Sequence, residues 1–389
     1  MKEIICDKTR KRYVIMTFLG VPALALLMLV SITGAANTGN DSAISQNATF
    51  WYYNGSALYD LGKYNESIQA YDKAIELNPN YSFAWNGKGN ALYDLGKYNE
   101  SIQAYDKVIE IYPNYSFAWS NKGNALYNLS KYDEAIQAYD KAIEINSQSA
   151  DAWNGKGMAL DSLGRYDEAI QAYDKVIEIN PNYYYAWSNK GVVLDSMGRS
   201  DESIQAYDKA IEIDPQYAKA WYGKGDALYN LSKYNESIQA YDKAIEINSQ
   251  SADVWNGKGN ALYNLGKYNE SIQAYDKAIG LNPNYSFVWG NKGNALSNLG
   301  RSDEAIQAYD KAIEINSQSA DSWNGKGNAL SNLGRYDEAI QAYDKAIEID
   351  PNHSLAWSNK CLFLDRLGRH EEAVVCYNRA KEVNTTIIV

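Results

Sequence analysis

Gly-Lys-Gly occurs at Gly87, Gly155, Gly223, Gly257 and Gly325, and a lysine flanked by glycines is a pattern that could cradle a phosphate. A phosphate loop also needs a preceding strand and the spacing GxxxxGK[ST]. Neither is present, so these glycines read as places where helices approach closely. Lysine recurs every 34 residues, at Lys88, Lys122, Lys156 and onward to Lys360. Such a ladder could form a basic stripe for an anionic partner. The stronger reading packs each stem on the neighbouring tryptophan, with the ammonium reaching water or a nearby acid such as Asp106. The two histidines, His353 and His370, lie near the end of the chain, and no nucleophile–base–acid set accompanies them. The chain therefore reads as non-enzymatic, with no cofactor, no metal site and no catalytic residues.

These residues belong to a repeat. The ten tryptophans, Trp51, Trp85, Trp119, Trp153, Trp187, Trp221, Trp255, Trp289, Trp323 and Trp357, are each 34 residues from the last. A fixed period of this length is the mark of a solenoid. In the unit 82–115, Trp85, Leu92 and Leu95 form one apolar stripe at helical period. Gly96 follows it where a left-handed C-cap needs a residue without a Cβ. Asn99 and Glu100 are expected to supply a capping group and negative charge at the next helix start. Ile102, Tyr105 and Ile109 form a second amphipathic stripe, and Pro113 ends it. Each helix pair has apolar faces that only a stacked neighbour can bury.

The unit resembles the tetratricopeptide repeat (TPR), with Trp85, Gly89, Leu92, Gly96, Tyr98, Tyr105, Val108 and Pro113 standing at the family's pattern positions. Ala135 and Ala169 supply the small residue that Ser101 replaces. The resemblance covers ten units, 48–81, 82–115, 116–149, 150–183, 184–217, 218–251, 252–285, 286–319, 320–353 and 354–387. It departs from the family in three ways. Lysine stands where leucine is usual, proline is missing at Ser147, Ser249, Ser317 and Thr385, and no further helical period follows the last unit. Where proline is missing, Ser149, Ser251 and Ser319 are expected to cap the next helix, aided by Asp151, Asp253 and Asp321.

The resemblance implies an all-α, right-handed superhelix (an α-solenoid) whose first helices line a concave groove for protein or peptide partners. On that groove it places Asn86, Asn90, Asn124, Asn154, Asn256, Asn260, Asn294, Asn324 and Asn328, with Tyr93, Tyr127, Tyr229 and Tyr263 nearby. Asparagine offers donor and acceptor to a peptide bond or a sugar hydroxyl, and tyrosine adds flat amphipathic area. A solvated polar face without a ligand is the other reading. The Lys/Arg clamp that some members use for carboxylates is not visible. The leading expectation is a scaffold; the alternative is a structural envelope component that contacts glycans or self-associates.

Residues 1–12 carry a basic cluster, Lys8, Arg10, Lys11 and Arg12, before an apolar stretch within 13–36; 37–47 is a polar linker. The cluster favours a membrane-tethered or exported array outside the cytoplasm. The apolar stretch reads either as a spanning anchor or as a cleaved signal with Gly34 and Ala36 near the cut. Residues 1–37 have net charge +3 in a chain of −11, which leaves the rest at −14. An acidic array repels nucleic acid and anionic lipid, so membrane contact is expected through the N-terminal helix only. Fourteen Asn-x-Ser/Thr sequons are compatible with an exterior location, although duplication multiplies them.

In the last unit Cys361 takes the place of the small glycine of the first helix, and Cys376 lies in the second helix beside Tyr377, which holds the inward aromatic position. In an antiparallel pair the two cysteines should lie at similar height, close enough for a disulfide. Two buried thiols acting as small apolar side chains are the alternative.

Overall fold

The computed structural model describes residues 47–386, so the basic segment, the anchor or signal stretch and most of the linker lie outside the described residues. Within that range there are twenty helices and no strand. They fall into two units, and the chain divides between Gly164 and Arg165.

The first unit holds α1 (Ala48–Asp60), α2 (Tyr64–Leu77), α3 (Ser82–Asp94), α4 (Tyr98–Ile111), α5 (Ser116–Asn128), α6 (Tyr132–Ile145) and α7 (Ala150–Ser162). The second begins with α8 (Tyr166–Ile179), α9 (Tyr184–Ser196), α10 (Ser200–Ile213), α11 (Ala218–Asn230), α12 (Tyr234–Ile247), α13 (Ala252–Asn264) and α14 (Tyr268–Leu281). It continues through α15 (Ser286–Asn298), α16 (Ser302–Ile315), α17 (Ala320–Asn332), α18 (Tyr336–Ile349), α19 (Ser354–Arg366) and α20 (His370–Thr386). Odd-numbered helices are the first of each pair. Within each unit every helix packs on the next, and odd helices also touch the next odd helix.

The turn inside each pair is a left-handed cap. Gly96 has φ +75°, its N–H bonds to the Tyr93 carbonyl at 2.9 Å, and the Lys97 N–H reaches the Leu92 carbonyl at 2.9 Å. Carbonyls left open at the helix end are thereby satisfied. Ser130 and Ser232 hold the same conformation, at φ 59° and 58°, without glycine's freedom. Asn99 does not cap α4: the helix starts at Tyr98, Lys97 is the N-cap, and no side chain bonds there. Glu100 does lie in the first turn, where the helix dipole favours it. Ser149, Ser251 and Ser319 cap α7, α13 and α17, accepting from the N–H groups of Ala152, Val254 and Ser322.

The core centres on tyrosine rather than on the tryptophan of the first helix's apolar stripe. Every tryptophan is only part-buried, whereas Tyr105, Tyr139, Tyr173, Tyr241, Tyr275 and Tyr343 are almost wholly enclosed. Glycines make room for these rings. A Cβ on Gly123 would lie 2.7 Å from the Tyr139 ring, and one on Gly155, in the next pair, 2.5 Å from it. Tyr241 is clasped likewise by Gly225 and Gly257. The repeated Gly-Lys-Gly thus presents two glycines to two successive tyrosines. Ser101 is buried at the family's small position, where its hydroxyl donates to the Gly89 carbonyl at 2.8 Å.

Candidate partner-binding face

The lysine ladder is internally satisfied. Lys88 Nζ lies 2.6 Å from Asp72 and Lys122 Nζ 2.6 Å from Asp106, each acid belonging to the preceding pair. Their ammoniums also sit 5.4 and 5.5 Å from the ring centroids of Trp85 and Trp119. The indole N–H of Trp85 donates to the Pro79 carbonyl at 2.8 Å. These lysines staple neighbouring pairs rather than forming a free basic stripe.

Much of the asparagine ladder also has an internal task. Asn90, Asn124, Asn260, Asn294 and Asn328 accept the hydroxyls of buried Tyr105, Tyr139, Tyr275, Tyr309 and Tyr343 at 2.7–2.9 Å. A buried phenol needs such an acceptor. Asn291 donates to Asn256 at 3.3 Å and to Asn260 at 3.2 Å. Asn359 does the same to Asn324 at 3.2 Å and Asn328 at 2.9 Å. Tyr93 and Tyr263 accept from Asn128 and Asn298 of the following pair at 2.8 and 2.9 Å, and Tyr127 lies 3.3 Å from Ser162. Asn154 contacts the Met158 sulfur at 3.5 Å. Asn86 Oδ1 is buried without a hydrogen-bond partner.

Two clefts open in the second unit. One, of about 270 Å³, is lined by Tyr229, Asn260, Tyr263 and Asn294 among others. It brings together four of the residues expected on or near the groove, Tyr229, Asn260, Tyr263 and Asn294. The other, of about 380 Å³, contains Asp195, Asp226, Asp253, Tyr222, Tyr285 and Phe287. None of these six stood among the candidate groove residues. Asp226 occupies the register of Asn260 one repeat earlier. Its Oδ1 accepts the Tyr241 hydroxyl at 2.6 Å. Burial pushes its carboxyl up to about 6, against the lowering effect of the Tyr241 and Tyr222 hydroxyls; Asp195 and Asp253 push it further up. Asp253 accepts from the Tyr285 hydroxyl, and Asp195 from Asn230 at 3.2 Å and Ser200 at 3.1 Å. The signal for this cleft was available: an acid where sister repeats carry the amide.

Among the described residues no group of three or more His, Cys, Asp or Glu side chains could hold a metal ion. Cys361 and Cys376 are brought together, with sulfurs 2.17 Å and Cα atoms 5.4 Å apart. Cys376 occupies the register of the buried Ala342. Tyr377 is not inward: it is 47% exposed, whereas Tyr343 one repeat earlier is 0% exposed.

Sequence models described as "Tetratricopeptide repeat" match residues 82–115, 252–285, 286–319 and 320–353, 120–184, and 172–205 and 342–375. Models described as "TPR repeat" match 55–96, 193–232 and 225–266. No curated protein matches the chain. Among solved structures, the Cut9–Hcn1 hetero-tetramer of the APC/C is similar at 14% identity, covering 82% of this chain and 76% of that one, with a TM-score of 0.52. The C-terminal part of a TPR repeat-containing protein from Cytophaga hutchinsonii is similar at 20% identity, covering 61% and 97%, with a TM-score of 0.51. YrrB, described as a TPR protein with an unusual peptide-binding site, is 28% identical over 49% of this chain and 98% of that one, with a TM-score of 0.44. The likeness to the first two is one of fold.

Proposed function

Because the chain belongs to the tetratricopeptide-repeat family, whose folds typically mediate protein–protein interactions, we propose that it is a non-enzymatic scaffold that binds a protein or peptide on the face of its odd-numbered helices. One observation carries this reading. Both clefts of the second unit are walled chiefly by odd helices, α9, α11, α13 and α15, with the even helices contributing only the buried Tyr241 and Tyr275. Those walls mix phenol and amide groups, which suit a peptide backbone.

The scaffold is anchored to, or exported across, a membrane by residues 13–36, with the repeats outside the cytoplasm. The basic cluster Lys8–Arg12 before an apolar stretch supports this. Among the described residues no helix is long and apolar enough to cross a membrane. Cell fractionation followed by N-terminal sequencing tests the placement; recovery of the uncleaved chain in the cytosolic fraction contradicts it.

Binding is tested by titrating the full-length chain against an immobilised random-peptide library and a glycan array. Saturable retention of peptides, weakened by Tyr263→Ala, supports the scaffold. Retention of glycans alone favours a surface component that contacts carbohydrate.

A further inference from the structure

Asp226 is the point where the amide ladder becomes charged. In five other repeats a neutral asparagine, as at Asn260 and Asn294, satisfies the buried tyrosine hydroxyl. Asp226 does the same for Tyr241. The tyrosine therefore does not need the negative charge, and taking a carboxylate out of water costs free energy unless a cation compensates it. Nothing in the wall of the cleft compensates it. The residues around Asp226 include Asp195 and Asp253 but no lysine, arginine or histidine. The ladder lysines of α11 and α13 are turned away, Lys224 to Asp208 and Lys258 to Asp242, both at 2.6 Å.

The rest of the wall combines aromatic rings with the amides of Asn230, Asn256 and Asn260. Tyr222, Tyr285 and Phe287 border the same cleft of about 380 Å³. Phe287 packs edge-on against Tyr285, with ring centroids 4.2 Å apart, yet stays 50% exposed, so part of its apolar surface remains open to a ligand. Carboxylates and aromatic rings lining one cleft form a combination suited to an organic cation, by ion pairing and cation–π attraction together. A bare metal ion is not suited, because the three acids do not converge into a metal-holding group.

From this geometry we infer that the cleft is a pocket for a lysine or arginine side chain of the partner protein, with Asp226 at its base, Asp195 and Asp253 flanking it, and Tyr222, Tyr285 and Phe287 as its aromatic wall. This rests on the reading of the odd-helix face as a peptide-binding surface and gives that surface its polarity: the partner segment is cationic. The neighbouring cleft of about 270 Å³, with Tyr229, Asn260, Tyr263 and Asn294 in its wall, takes the adjoining uncharged part of the segment. The net charge of −11 on the whole chain draws the same segment in at longer range.

The test uses the full-length chain and four unlabelled heptapeptide libraries that differ only in a fixed central arginine, lysine, norleucine or glutamate. Binding is followed by calorimetry at low and moderate salt, with wild type, Asp226→Asn and Tyr263→Ala. Asparagine already serves in the same register elsewhere, so Asp226→Asn keeps the tyrosine hydrogen bond and the fold. The expected result is binding of the arginine and lysine libraries above the norleucine and glutamate ones. Asp226→Asn should weaken that binding tenfold or more, and added salt should weaken it further. Tyr263→Ala should weaken all bound libraries without changing the preference for a cation. Equal binding of all four libraries, or a cation preference untouched by Asp226→Asn, overturns the inference while leaving the scaffold standing. Failure of every library to bind overturns both.

Discussion

The ring of Tyr139 on α6 lies so close to Gly155 on α7 that a Cβ on the glycine would come within 2.5 Å of it. One helix pair therefore meets the next by setting an aromatic ring directly against bare backbone. A methyl group at Gly155 has to displace a ring that is 1% exposed and also held by its hydroxyl. Gly155→Ala gains up to about 1 kcal/mol of helix propensity and loses about 1–3 kcal/mol to overpacking. Urea denaturation should show net destabilisation, with hydrogen exchange loosened first in α6 and α7. A variant more stable than wild type would contradict the clasp.

Ser130 and Ser232 sit in the left-handed conformation that glycine holds in the other turns. Replacing each with glycine should stabilise the protein by about 1 kcal/mol, since an L-residue there meets its own carbonyl. Thermal melts of Ser130→Gly and Ser232→Gly check this. A lower melting temperature for both would show that the serine side chains make compensating contacts.

Asp226 should make the protein less stable as pH rises, the reverse of a salt-bridged aspartate. Its carboxyl is raised from an ordinary 3.8 to about 6, chiefly by burial, with Asp195 and Asp253 adding to the rise and the hydroxyls of Tyr241 and Tyr222 opposing it. The folded state therefore holds the proton more tightly than the unfolded chain. Its contribution is fully present below pH 3.8 and is lost as pH climbs through about 6. Asp226→Asn should match wild type near pH 4 and exceed it by on the order of 1–2 kcal/mol at pH 7. A constant difference across that range would contradict the assignment.

The last pair carries its own staple. Cys361 and Cys376 stand where the preceding repeat places the small residues Gly327 and Ala342, and they are bonded to each other. Full-length protein purified without reductant should alkylate at Cys6 alone and at all three cysteines after reduction. Closing this 15-residue separation should contribute about 3 kcal/mol to the last pair in the chain-entropy model. Three alkylated thiols before reduction would exclude the bond.

The period, the helix pairs, the glycine turns and the serine caps were legible because each follows from local rules: apolar spacing, positive φ, and an oxygen at a helix start. The lysine arrangement was legible too: Lys122 lies over Trp119 and pairs with Asp106 one repeat back. The core was read less well. Tryptophan draws attention by size, yet Tyr105 is the enclosed residue, because Gly89 leaves room for a ring on α4 rather than on α3. The candidate face suffered from the same blindness to contacts between helices. Asn90 and Asn294 looked free for a ligand, but each already serves a buried phenol. Asp226 was passed over because it broke the pattern, and only the neighbouring Asp195 and Asp253, brought in from other repeats, reveal what the break creates.

Binding of a peptide-like partner on the odd-helix face can be read from a crosslink map. The full-length chain carries a photoreactive amino acid in place of Phe287, at the rim of the cleft, or in place of Glu144, exposed on the even helix α6. Both are irradiated with the random-peptide library. Saturable peptide adducts are expected from position 287 and none above background from position 144. Equal labelling from both positions, or labelling from 144 alone, would contradict it.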